Sequence, residues 1–175
     1  MKKVLYLAAL LFSVALTSCE KEEVGGTATQ DMAGDWYVTV DAVDANGDLV
    51  YSDEEFFGLG RIHVLTANTA ANKAGEMILT DQGAFWGFSV KVSCDPQNLT
   101  FKTTTTEVNN LDFDEINVSV TDGKIVKNGG VQNNGSVSDY IEFYINFSDD
   151  SYPEKYGFAK YHVYGVRYSG LVEND

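Results

Sequence analysis

The chain has 175 residues, 44% of them hydrophobic and 13% aromatic, with a formal net charge of −14. That length suits one domain whose core is large enough to stand without disulfides or structural metals. So acidic a surface argues against nucleic acid as a partner, since phosphates need Lys and Arg, and against electrostatic docking on anionic lipid.

Lys2 and Lys3 precede an apolar stretch, 4–16, broken only by Ser13. It is too short to cross a bilayer as a helix, which takes about 20 residues, and it has the flanks of a secretory signal. Leu16-Thr17-Ser18-Cys19 follows. This resembles the bacterial lipobox, which implies cleavage before Cys19 and acylation of its thiol and new amine. Acyl chains supply about 0.8 kcal/mol per buried CH₂, so several chains anchor stably. Glu20-Lys21-Glu22-Glu23 is similar to the acidic export tag of some surface lipoproteins, with a solvated tether as the alternative. The expected organisation is a signal peptide over 1–18, a flexible tether over 19–30 and a folded domain over 31–175. The expected location is the outer membrane, on its periplasmic face or at the cell surface, held through the lipid on Cys19.

From Asp31 onward the hydrophobic pattern has period two, with turn residues at short intervals. Strands are predicted over 35–42, 61–68, 75–81, 85–94, 99–107, 138–148 and 159–170, with a hairpin turn at Asn46-Gly47. Residues 115–130 read as a further hairpin around Asp122-Gly123, and 66–75 as a polar loop. Alternation places Trp86, Phe88, Val90 and Val92 on one face, then Phe101 and Thr103, then Ile116, Val118 and Val120, then Ile141, Phe143, Ile145 and Phe147. Sequential strands on short links predict an all-β, antiparallel up-and-down meander closed as a barrel, with a two-sheet β-sandwich as the alternative. Closure would remove the exposed edges of such apolar strands.

Gly34-Asp35-Trp36 opens the first strand, and Arg167 lies in the last. The pair resembles lipocalins, where a Gly-x-Trp tryptophan plugs the closed end of an eight-stranded barrel and an arginine lies across its indole. The resemblance gives Trp36 and Arg167 that barrel-closing role, a cation–π contact. Taken together, 32–48, 114–130, 139–150 and 161–175 resemble the bacterial lipoprotein family named "lipid-binding putative hydrolase". That resemblance implies a calycin-like, lipocalin-like barrel and two activities, binding and hydrolysis.

Hydrolysis by a serine triad needs Ser, a His base and a carboxylate in contact. The nearest string to a nucleophile elbow, Gly87-Phe88-Ser89-Val90-Lys91, lacks its second glycine. The two histidines, His63 and His162, fall mid-strand, and nothing near Cys94 in sequence would activate its thiol. Acid clusters (53–55, 112–115, 149–150) fall at turns. An EF-hand aligned on Gly47 would put Ala42 where an acid is required. One remaining thiol and two scattered histidines make a poor zinc set. No metal site and no cofactor are expected, and catalysis is left open with the weight against it.

A barrel of eight strands can hold one small ligand among inward side chains. Trp86, Phe88, Phe101, Phe143 and Phe147 are the candidate lining, although inward aromatics also simply fill cores. The leading expectation is therefore an anchored lipoprotein that binds a lipid or other small hydrophobic ligand. The alternatives are a hydrolase of unidentified site, or a surface module contacting a glycan or a protein through late tyrosines such as Tyr152, Tyr156 and Tyr161.

Overall fold

The computed structural model describes residues 26–105, 108–111 and 116–174. The expected signal segment, Cys19 and the acids 20–23 lie outside the described residues, as do Glu107 and the cluster 112–115. Among the described residues ten strands form: β1 Gly34–Val43, β2 Leu49–Tyr51, β3 Ile62–Asn68, β4 Glu76–Thr80, β5 Ser89–Asp95, β6 Thr100–Lys102, β7 Val108–Asn109, β8 Asn117–Val131, β9 Val137–Phe147 and β10 Lys160–Arg167. Two short helices, α1 Asp53–Phe56 and α2 Tyr152–Tyr156, interrupt them.

Around the sheet the order is β1, β3, β4, β5, β6, β8, β9, β10, every neighbouring pair antiparallel. β10 then pairs β1 from Trp36↔Arg167 to Val43↔Lys160. This closes an eight-stranded up-and-down barrel and removes the sandwich alternative. β2 attaches beside β1 past a shift at Ala42/Val43, and β7 attaches beside β8.

The inward alternation holds along the wall. Trp36, Val38, Val40, Met77, Leu79, Phe88, Val90, Val92, Val118, Val120, Ile141, Phe143, Ile145 and Tyr161 are each at most 1% exposed. A side chain with no accessible surface borders no water-sized space, so the interior at these levels is packed solid, as protein cores are.

Three local expectations differ from the structure. Residues 117–130, expected within a hairpin over 115–130, instead belong to one long strand, β8, in which the register shifts between Thr121 and Lys124. Asp122 there has φ +52°, the mark of a bulge. Gly123 is needed because the Phe101 ring lies against its backbone, where a Cβ would overlap it. The strand expected from Phe85 begins at Ser89, and of the one expected over 99–107 only Thr100–Lys102 is strand among the described residues. Ahead of β1, the Ala28 amide donates to Asn72 Oδ1 at 2.8 Å, and Thr29 is fully buried.

Candidate functional site

The register puts the β1–β2–α1–β3, β4–β5 and β9–β10 connections at one end of the barrel, the end opposite Trp36. Each of these connections is organised by an aspartate. Residues 81–88, DQGAFWGF, wind around Asp81, which is completely buried. Its Oδ1 accepts from the Gly83 amide at 3.0 Å, and its Oδ2 accepts from the amides of Phe85 (2.9 Å), Trp86 (2.8 Å) and Gly87 (3.0 Å). These amides are therefore unavailable to a sheet ladder, which is why β5 starts late.

In the β2–β3 connection, Asp53 accepts from the amides of Leu59 and Gly60, and its own amide donates to Asp41 Oδ1 at 2.8 Å. In the β9–β10 connection, Asp150 accepts from the Tyr152 amide at 2.8 Å and from the Tyr161 hydroxyl. Burial, then that hydrogen bond, pushes the Tyr161 phenol well above its ordinary value, so it stays a neutral donor.

The loops held in this way bring aromatic rings together. Trp86–Phe85 (5.5 Å between centroids), Phe85–Phe57 (5.1 Å), Phe57–Phe56 (4.6 Å), Phe56–Tyr152 (6.0 Å) and Tyr152–Trp86 (6.1 Å) form a closed circuit of contacts. Tyr161 lies at its base, touching Phe57, Phe85 and Trp86. All five of the circuit's contacts are edge-to-face, at 80–88° for four of them and 63° for Trp86–Phe85, the favourable geometry for such pairs. Trp86 also stacks on Phe147, at 4.9 Å and 8°, and Tyr156 packs on Phe56 at 5.0 Å. Phe56, Phe57, Phe85 and Trp86 are half-buried, while Tyr152 and the neighbouring Tyr156 are each 39% exposed. The mouth is a partly open aromatic surface over a closed core.

A family model described as "lipid-binding putative hydrolase" matches residues 21–172. The chain belongs to this family. No curated protein matches the chain. The matched region runs through β1 to β10 and includes every residue of the aromatic mouth.

Among the residues expected to line a site, Trp86 and Phe147 meet at this mouth. Phe88, Phe101 and Phe143 lie deeper, at 1%, 3% and 0% exposure. Trp36 and Arg167 come together at the opposite end, with the guanidinium carbon 4.4 Å from the indole centroid. Arg167 also donates to Ala33 O at 2.8 Å and Asp139 Oδ2 at 3.3 Å, and the Trp36 indole N–H donates to Thr66 Oγ1 at 2.8 Å.

The histidines sit on the outer wall. His63 Nδ1 lies 2.9 Å from Asp35 Oδ1, and His162 Nε2 lies 3.6 Å from Glu142 Oε2. Neither ring meets a serine, threonine or cysteine among the described residues. Cys94 is near-buried with its Sγ 3.4 Å from Ala74 O, and burial pushes its thiol upward, away from the reactive thiolate. A separate recess of about 520 Å³ near Cys94 is lined by a mixture of apolar and charged side chains, among them Phe101, Asp95, Lys102 and Lys124.

Reading from the sequence missed Asp81, Phe56 and Phe57, and took Asp150 only as an acid at a turn. The signal was present: Asp81-x-Gly83 and Asp150-x-Tyr152-Pro153 are Asx-turn patterns, in which a side-chain oxygen captures amides just ahead of it.

Proposed function

We propose that this protein binds a lipid or other small hydrophobic ligand at the aromatic mouth, and that it does so as an outer-membrane lipoprotein anchored through Cys19. The observation that carries the binding site is the closed circuit Trp86–Phe85–Phe57–Phe56–Tyr152, partly exposed over a solid core. Family membership supports a lipid as the ligand. An acyl chain gains about 0.8 kcal/mol for each CH₂ it removes from water, and ring faces held by rigid loops offer that surface at little entropic cost. Anchoring is supported by the apolar segment 4–16 and the lipobox ending at Cys19. The acids 20–23 leave either face of the outer membrane open to it.

Titration of the full chain with dodecanol tests the site. Trp86→Ala and Tyr152→Ala should each weaken binding about tenfold, the equivalent of roughly 1.4 kcal/mol. Unchanged affinity in both variants would place the ligand elsewhere. For the anchor, Cys19→Ala should abolish metabolic labelling by a fatty-acid analogue, and retained labelling would overturn it.

A further inference from the structure

The mouth is set among carboxylates. Asp149 Oδ1 accepts from the Trp86 indole N–H at 3.1 Å. Asp150 holds the Tyr161 hydroxyl beneath the circuit and the Tyr152 amide at its edge. Glu54 and Glu55 on α1 and Glu154 on α2 are exposed at the same end. The three connections at this end contain five carboxylates over 44–61, one in 81–88 and three in 148–159, against Arg61 and Lys155, with Lys160 opening β10. The chain's own cations already use such ring faces: Lys155 Nζ lies 4.9 Å from the Tyr156 centroid, and Lys160 Nζ lies 3.8 Å from that of Tyr144.

These features select a head group. An aromatic face carries negative quadrupolar charge and attracts cations, most strongly where water is excluded. Asp149 and Asp150 are fixed by hydrogen bonds to mouth residues, so their charges stay beside the rings without further ordering. An anionic head group would meet an excess of like charge, and at low salt these charges act over roughly 10 Å or more. We propose that the ligand taken at this mouth is a cationic amphiphile, an apolar chain ending in an alkylammonium. The ring faces contact the carbons around nitrogen, and Asp149 and Asp150 supply the counter-charge. This rests on the mouth being the ligand site.

The test compares dodecyltrimethylammonium, dodecanol and dodecanoate, each below its micellar concentration, by calorimetry on the full chain at low salt. The cation should bind about tenfold tighter than dodecanol and about a hundredfold tighter than dodecanoate, with both gaps shrinking as salt rises. Asp149→Asn and the pair Asp149→Asn/Asp150→Asn should narrow the gaps. Asp149 is exposed, so its single variant retains the fold even where the pair does not. Asp31→Asn, exposed at the opposite end, should leave both gaps intact. Equal affinity for the three probes, still dependent on Trp86, would overturn the charge preference and leave the mouth standing. Tighter binding of dodecanoate would do the same. Equal loss in Asp31→Asn would reduce the preference to diffuse charge and overturn it. Binding of none of the three would overturn the site and the preference together.

Discussion

Replacing Asp81 should disassemble the mouth from beneath. Its carboxylate is wholly buried and accepts from four amides at 2.8–3.0 Å. Hydrogen bonds to a charged acceptor contribute about 1.5–3 kcal/mol each in isolation. Here they share one acceptor, and Gly83 on the exposed side of the loop can turn to water. Asp81→Ala should therefore cost about 3–5 kcal/mol rather than the full sum. Asp81→Asn keeps one oxygen for the amides of Phe85, Trp86 and Gly87 but turns an NH₂ toward the Gly83 amide, and should cost about 2–3 kcal/mol. Urea unfolding gives the global loss. Hydrogen exchange at the amides of Phe85, Trp86 and Gly87 shows whether the loop opens first, and dodecanol binding should fall with it. If Asp81→Ala changes stability by less than about 1 kcal/mol while those amides stay protected, the carboxylate is not what shapes this loop.

The closed end makes its own predictions. A Cβ at Gly34 would overlap the Arg167 guanidinium, so Gly34→Ala should displace that group from Trp36 and lower the urea midpoint. Arg167→Met, which removes the cation–π contact and both hydrogen bonds, should cost about 2–4 kcal/mol in the same assay. His162 titrates below the ordinary 6.5 because burial disfavours its charged form, only partly offset by Glu142. A depressed histidine contributes stability above its unfolded pKa and loses it as pH falls through the folded value. The native chain should thus lose more stability than His162→Phe on going from pH 7 to below about 6; parallel pH profiles for the two would show that His162 contributes none of this dependence.

Alternation made the barrel wall legible because period two is a property of single strands. Val90, Val92, Val118, Val120, Ile141, Phe143 and Ile145 could be assigned inward without knowing which strand paired with which, and all are at most 0% exposed. The Gly34–Trp36–Arg167 arrangement was legible through resemblance, and its physical basis, a glycine leaving room for a guanidinium, needed coordinates. The Asp122-Gly123 misreading has a definite cause. A turn pair and a bulge glycine share a composition, and only the partner strand, here β6 with Phe101 at Gly123, distinguishes them. The mouth was the least legible part. Phe56, Phe85, Trp86 and Tyr152 come from three connections far apart in sequence, and no periodicity relates residues that meet only because loops converge.

That convergence explains how a solid barrel can serve a binding role. Eight strands enclose an interior that medium and large side chains fill, and Trp36, Phe88, Phe143 and Tyr161 are enclosed here to within 1%. Opening space between them would cost several kcal/mol per displaced aromatic side chain. The mouth requires no such displacement. Its rings are already partly exposed, its loops are fixed by Asp53, Asp81 and Asp150 rather than by a ligand, and apolar surface there remains in water until something covers it. A ligand chain laid on the circuit therefore gains burial without paying for core repacking, and carboxylates that first serve to fold the loops also set the sign of the charge that the mouth accepts.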